Sequence, residues 1–150
     1  MNKIITEQLA LRGLLIILSL LVVFHVLILI RVVPFEDVWG GKITSESQMQ
    51  RLEGISIFIS LAMLTVVSIR AKIIRFAGGR AITIILWVMF CFFCLNTIGN
   101  LLSNNPFEKL VFAPLTLILA LFTYRVAKKE QQLPDTIDYL KDNKDSQWKR

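Results

Sequence analysis

Charge is scarce in this chain. Of 150 residues only 19% are charged, whereas a soluble domain carries about a quarter. That shortfall excludes an ordinary soluble domain. The 55% apolar content excludes disorder, because so much apolar surface seeks burial. Histidine occurs once, at His25; one imidazole without a second ligand at helical spacing makes no metal site, and none is expected. The chain has no G-x-S-x-G, no H-E-x-x-H, no P-loop and no Asp-rich metal pair. The sequence therefore nominates no catalytic residue and no cofactor. Its isoelectric point near 9.6 does not indicate a nucleic-acid partner, because the basic residues sit between apolar runs rather than on a solvated face.

Long apolar runs take the place of charge. Gly13 to Ile30 has no ionisable residue except His25, and Gly54 to Ile69, Ala81 to Phe107 and Leu110 to Tyr124 have no charged residue. A bilayer core of about 30 Å requires roughly 20 helical residues. The first and third runs meet that length directly. The second and fourth are shorter, at 16 and 15 residues, and flanking residues extend them while Arg and Lys snorkel. A soluble bundle would need a polar stripe on each helix, and Leu14 to Phe24 has none. The first run exceeds a signal-peptide core and no small-x-small cleavage site follows it, so it reads as a retained helix. The expected fold is all-α: a polytopic membrane protein forming an antiparallel four-helix bundle over residues 1–128. Its helices are expected at about 13–33, 46–71, 81–104 and 106–127. Residues 129–150 read as a flexible polar tail.

Acid is absent from residues 70–80, which carry Arg70, Lys72, Arg75 and Arg80. Thirteen of the 17 basic residues lie in that loop or in the two terminal segments. The other four are Arg31, Lys42, Arg51 and Lys109, in connections that also carry acids. Positive residues stay cytoplasmic during insertion. The expected orientation puts both termini and the 70–80 loop in the cytoplasm, with 31–53 and 103–109 outside. The basic inner loop would attract anionic lipid.

Local signals mark helix ends. Ser45 and Gln48 have capping-box spacing. Asn105-Pro106-Phe107-Glu108 reads as N-cap, first and third helical positions. Pro114 removes a donor in the fourth helix and kinks it. Trp39-Gly40-Gly41-Lys42 is a turn signal, and Phe35 with Trp39 at i, i+4 suggests a short interfacial helix. Phe35, Trp39, Gly40, Gly41 and Lys42 are the expected docking surface for a partner protein on the outer face. Four helices with dissimilar ends do not form an inverted repeat.

Polar residues within hydrocarbon are the natural place to look for function. Asn96 and Asn100 share a face of the third helix, with Gly99 and Ser103 adjacent. Glu53, Ser56 and Ser60 form a stripe on the second, and Ala113, Thr116, Ala120 and Thr123 on the fourth. His25, Glu53, Asn96, Asn100 and Glu108 all fall at the same outer depth. One account is structural: small residues and Asn or Ser bonds hold helices together. The other is an outward polar pocket lined by His25, Glu53, Asn96, Asn100 and Glu108. In that pocket a ligand binds, or His25 and Glu53 relay protons in a small transporter. Arg31, Glu36, Asp37 and Arg51 read as interfacial salt bridges and anchors. Cys91-Phe92-Phe93-Cys94 invites a thiol-oxidoreductase alternative, weakened by its mid-helix position and by the lack of a second Cys pair. Oligomeric state stays open between a monomer and a homo-oligomer joined through small-residue faces.

Val33-Pro34-Phe35, Val38-Trp39-Gly40-Gly41-Lys42, Leu95-Asn96-Thr97-Ile98-Gly99-Asn100, and Phe107-Glu108-Lys109 with Pro114-Leu115-Thr116 form a set. This set resembles a family of small uncharacterised four-helix inner-membrane proteins of bacteria. The resemblance covers roughly residues 10–128. It implies the fold and a multi-pass inner-membrane location, and it implies no chemistry.

Overall fold

The structure, a computed structural model, describes residues 6–33, 45–75 and 79–129. It is all-α. Helix α1 spans Glu7–Leu29, α2 Glu46–Arg70 and α3 Gly79–Leu102. A π turn at Glu108–Phe112 runs into α4, Ala113–Lys129. The docking segment Phe35, Trp39, Gly40, Gly41 and Lys42 and the polar tail lie outside the described residues.

Each of the four helices is long and apolar enough to cross a membrane. Large apolar side chains cover the outside: Phe58 is 74% exposed, Leu95 68% and Leu110 77%. Water would penalise such a surface and lipid does not. The four helices mark a multi-pass membrane protein.

The helix ends follow local chemistry. Thr6 caps α1, its side chain accepting from the Leu9 amide, and Glu7 sits in the first turn. The helix thus starts six residues before the expected residue 13. It stops at Leu29 rather than 33, because Arg31 takes a left-handed conformation (φ 63°). The Val32 amide then bonds the Leu27 carbonyl and the Arg31 amide bonds that of Ile28, a Schellman closure. Lys72 (φ 61°) ends α2 in the same way. Ser45 caps α2 through the Gln48 amide at 3.3 Å. Asn105 Oδ1 accepts from the Phe107 amide at 2.9 Å, and Ser103 Oγ accepts from the Asn105 amide. The π turn falls just before Pro114, which cannot donate to the carbonyl four residues back.

Sequential helices pack as antiparallel hairpins, α1 on α2 and α3 on α4. Helix α1 also meets α4, and α2 meets α3 more sparingly. At one end Arg31 pairs with Glu46; at the other Arg70 pairs with Glu7 at 3.3 Å. The two ends are named here for Arg31 and Arg70. The main core, with Leu14, Leu18, Leu86, Phe93, Leu119 and Val126, occupies the Arg70 half. A smaller cluster, Ile28 and Met49 with Phe24, Leu29, Val33 and Leu52, closes the Arg31 end. The two clusters do not merge, and the polar site lies between them.

Small residues act unequally. Gly13 faces Phe122, whose ring edge lies 2.2 Å from where a Cβ would stand. Ala113, Ala120 and Thr123 are buried on α4. Gly99, by contrast, has nothing within 4 Å of an added Cβ, so it mediates no helix contact among the described residues. Gly99→Ala is expected to raise stability by about 0.5–1 kcal/mol through helix propensity, measured by thermal unfolding in detergent. A loss instead would mean that a second copy packs on that face.

Candidate functional site

Five turns from its start α1 brings His25 toward α2, where Glu53 lies two turns in. His25 Nδ1 stands 2.7 Å from Glu53 Oε2. The Glu53 side chain is fully buried and that of His25 is 19% exposed. At this distance the imidazole and the carboxyl are hydrogen-bonded, with donor and acceptor set by the ring tautomer. Phe24 packs edge-on to the imidazole at 6.0 Å and tilts against Phe112 at 5.5 Å.

Beside the pair a cavity of about 400 Å³ opens among all four helices. His25, Ser56, Asn96, Asn100, Glu108 and Thr116 are its main polar lining. Leu18, Met63, Phe93 and Leu119 line it more deeply, toward the Arg70 half. Its polar groups therefore gather near the Arg31 end, with an apolar floor beneath. Ile55 on α2 and Phe92 on α3 line it while remaining 57% and 40% exposed. The volume lies at the lower end of the range, about 300–1,000 Å³, typical of small-molecule sites.

The π turn contributes directly. Its wider turn brings Glu108, Phe112 and Thr116, each four apart, to the same cavity. The Thr116 hydroxyl donates to the Phe112 carbonyl at 2.8 Å, the Thr97 hydroxyl lies 2.9 Å from it, and Asn100 Nδ2 stands 3.5 Å away. These contacts tie α3 to α4.

Five positions were nominated as pocket residues by the sequence. The structure brings His25 and Glu53 into contact and places His25, Asn96, Asn100 and Glu108 on the cavity wall, with Glu53 behind the imidazole. Asn96 does not bond across helices; its Nδ2 donates to the Phe92 carbonyl at 2.9 Å. Cys91 is exposed and Cys94 half-buried, both as free thiols, and neither lines the cavity. Among the described residues no three His, Cys, Asp or Glu side chains come together as metal ligands. The aromatic wall of Phe24, Phe92, Phe93 and Phe112 was not nominated. Phenylalanine is frequent in this chain, and only Phe112, one turn from Glu108, carried any local signal. The Glu7–Arg70 pair also escaped notice, because its partners lie on different helices. No protein-family model, no curated protein and no solved structure matches this chain.

Proposed function

We propose that this is a non-catalytic inner-membrane protein of bacteria that binds a small ligand in a pocket open toward the periplasm. The observation that carries it is the buried His25–Glu53 contact at 2.7 Å on the wall of a 400 Å³ cavity. Ionisable groups at membrane depth are expensive, and an apolar pair would join α1 to α2 at least as well. A cavity between two core clusters also sacrifices packing. Both features weaken a pure scaffold and suit a binding site.

The periplasmic orientation rests on the thirteen basic residues gathered at the termini and the 70–80 loop. Exposed Lys72, Arg75 and Arg80 would meet anionic lipid on the cytoplasmic side. The segment with Phe35, Trp39, Gly40, Gly41 and Lys42, between Val33 and Ser45 in the chain, would offer a partner protein a docking surface. A proton relay is the second function, favoured by the direct contact between the imidazole and the carboxyl.

Cysteine labelling tests the pocket and its orientation together. In a Cys91→Ala/Cys94→Ala background, Lys42→Cys is expected to react with an impermeant maleimide on intact cells. Ser56→Cys is expected to react with a small neutral maleimide. An inert Ser56→Cys, or a Lys42→Cys that reacts only after permeabilisation, would remove the outward pocket. Proton relay is tested in liposomes, where His25→Gln is expected to abolish any pH-driven flux.

A further inference from the structure

Given the ligand-binding function proposed above, on which this assignment rests, we infer that the cavity takes an uncharged, lipid-soluble alcohol or phenol, held by hydrogen bonds from α2 and α3. Three observations converge. The first is a pair of hydroxyls without partners. Ser56 and Ser60 stand one turn apart on α2 and both line the cavity. A hydroxyl within a helix commonly bonds the carbonyl four residues back. Thr65, Ser68, Thr97, Thr116 and Thr123 all do so, at 2.7 to 2.8 Å. Ser56 and Ser60 make no hydrogen bond among the described residues, although Ser60 is only 8% exposed. A buried hydroxyl without a partner is costly at membrane depth, so these two point to a molecule that meets them in the cavity.

The second observation is the complement of donors and acceptors. Asn96 and Asn100 line the cavity from α3. Their bonds run through Nδ2, to the Phe92 carbonyl at 2.9 Å and toward the Thr116 hydroxyl at 3.5 Å. Their side-chain carbonyls, which can only accept, take no bond among the described residues. Helices α2 and α3 run in opposite directions, so Ser60 lies about 6 Å deeper than Ser56 and Asn96 about 6 Å deeper than Asn100. Each helix therefore offers partners at two levels. A ligand that satisfies both walls donates to an amide carbonyl and accepts from a serine hydroxyl. One hydroxyl group does both. A ketone, an ester or an ether only accepts, and leaves the amide carbonyls unmet.

The third is charge and shape. No Lys or Arg is among the described residues that line the cavity, so an anion finds no counter-ion. Glu53 bonds His25, and Glu108 also has a partner within the chain, so neither acid calls for a cation. An ion would shed its hydration there without compensation. The remaining lining is apolar. Phe24 tilts against Phe112 at 5.5 Å, and Leu18, Met63 and Leu119 form the floor. Aromatic walls suit a ring in the ligand. The volume of about 400 Å³ holds roughly a dozen water-sized groups, enough for a ring and a short chain.

The probes are para-octylphenol and para-octylanisole, which differ by a methyl group on the oxygen and so isolate the donated proton. The full chain in nanodiscs of zwitterionic lipid, with empty nanodiscs subtracted, is expected to bind the phenol saturably and the anisole at least about tenfold more weakly. Charged analogues of like size, para-octylbenzoate and para-octylbenzylammonium, are expected to bind no better than the anisole. Ser60→Ala is expected to weaken phenol binding about fivefold without lowering thermal stability, because no bond within the chain is lost. Thr123→Ala, a buried hydroxyl outside the cavity, is expected to leave binding unchanged. Saturating phenol is expected to protect Ser56→Cys from the neutral maleimide. Equal binding of phenol and anisole, tighter binding of either charged analogue, or phenol binding indifferent to Ser60→Ala in a protein of unchanged elution profile overturns the assignment. If neither phenol nor anisole binds while Ser56→Cys still reacts with the neutral maleimide, the pocket stands and the hydroxyl ligand falls. If Ser56→Cys is also inert, both fall.

Discussion

His25→Leu is expected to destabilise the bundle by about 3 kcal/mol, the largest loss from any single change at the site. Leucine fills a similar volume, so the loss is not one of packing. It arises because Glu53 has no solvent exposure and the imidazole sits 2.7 Å from its carboxyl. An average interhelical hydrogen bond in a membrane is worth only about 0.6 kcal/mol. Here the larger figure applies, because a fully buried carboxyl loses its imidazole neighbour and cannot turn to water. Glu53→Gln keeps a hydrogen-bonding partner for the ring and is expected to lose about 1 kcal/mol. The double change His25→Leu/Glu53→Leu is expected to recover most of the single-variant loss, since apolar pairs replace buried ion pairs at little cost. Its ligand binding is expected to vanish all the same. Unfolding of the purified chain in detergent, followed by heat and by added SDS, measures all three variants against the parent. A His25→Leu protein as stable as the parent would show that the pair does not couple α1 to α2.

The second large effect lies at the α1–α4 contact. Gly13→Leu is expected to cost about 3 kcal/mol, the upper end of the range for overpacking. Even a methyl group at Gly13 would stand 2.2 Å from Phe122 Cε2 and 2.7 Å from Cδ2. Gly13→Ala is therefore expected to cost about 1 kcal/mol, against the gain that Ala usually brings to a helix. The effect belongs to the pair, so additivity should fail. In a Phe122→Ala background the same Gly13→Ala change is expected to be neutral or stabilising. A cost that persists without the Phe122 ring would place its origin elsewhere. The same detergent unfolding assay reads this cycle.

Much of the outline was legible because a transmembrane span is a local property. Four runs without charge mark four spans, whatever their neighbours. Ser45 and Asn105 announced their helix starts, since a cap needs only the amides two or three residues on. The end of α1 was not legible. Its left-handed residue is Arg31, where a glycine would have been the signal. Its early start rests on the Thr6 cap, and the Glu7–Arg70 pair beside it joins ends that no window of sequence contains. Pro114 pointed to an irregular helix, but not to a π turn that aims Glu108 and Phe112 at one cavity.

For the site, shared depth was readable and contact was not. Counting residues from each span's end set His25, Glu53, Asn96 and Asn100 at one level. Which faces turn inward is a rotation about each helix axis. In lipid every face of these helices is apolar, so no hydrophobic stripe sets that rotation. Asn96 illustrates the limit: it has the right depth and lines the cavity, yet bonds its own backbone. Sequence alone determined how many helices there are, how long they run and at what depth their polar groups lie, because these follow from summed hydrophobicity. Only the tertiary structure decided that His25 meets Glu53, that Gly13 receives Phe122 and that α1 meets α4. Those outcomes depend on close packing between segments distant in the chain.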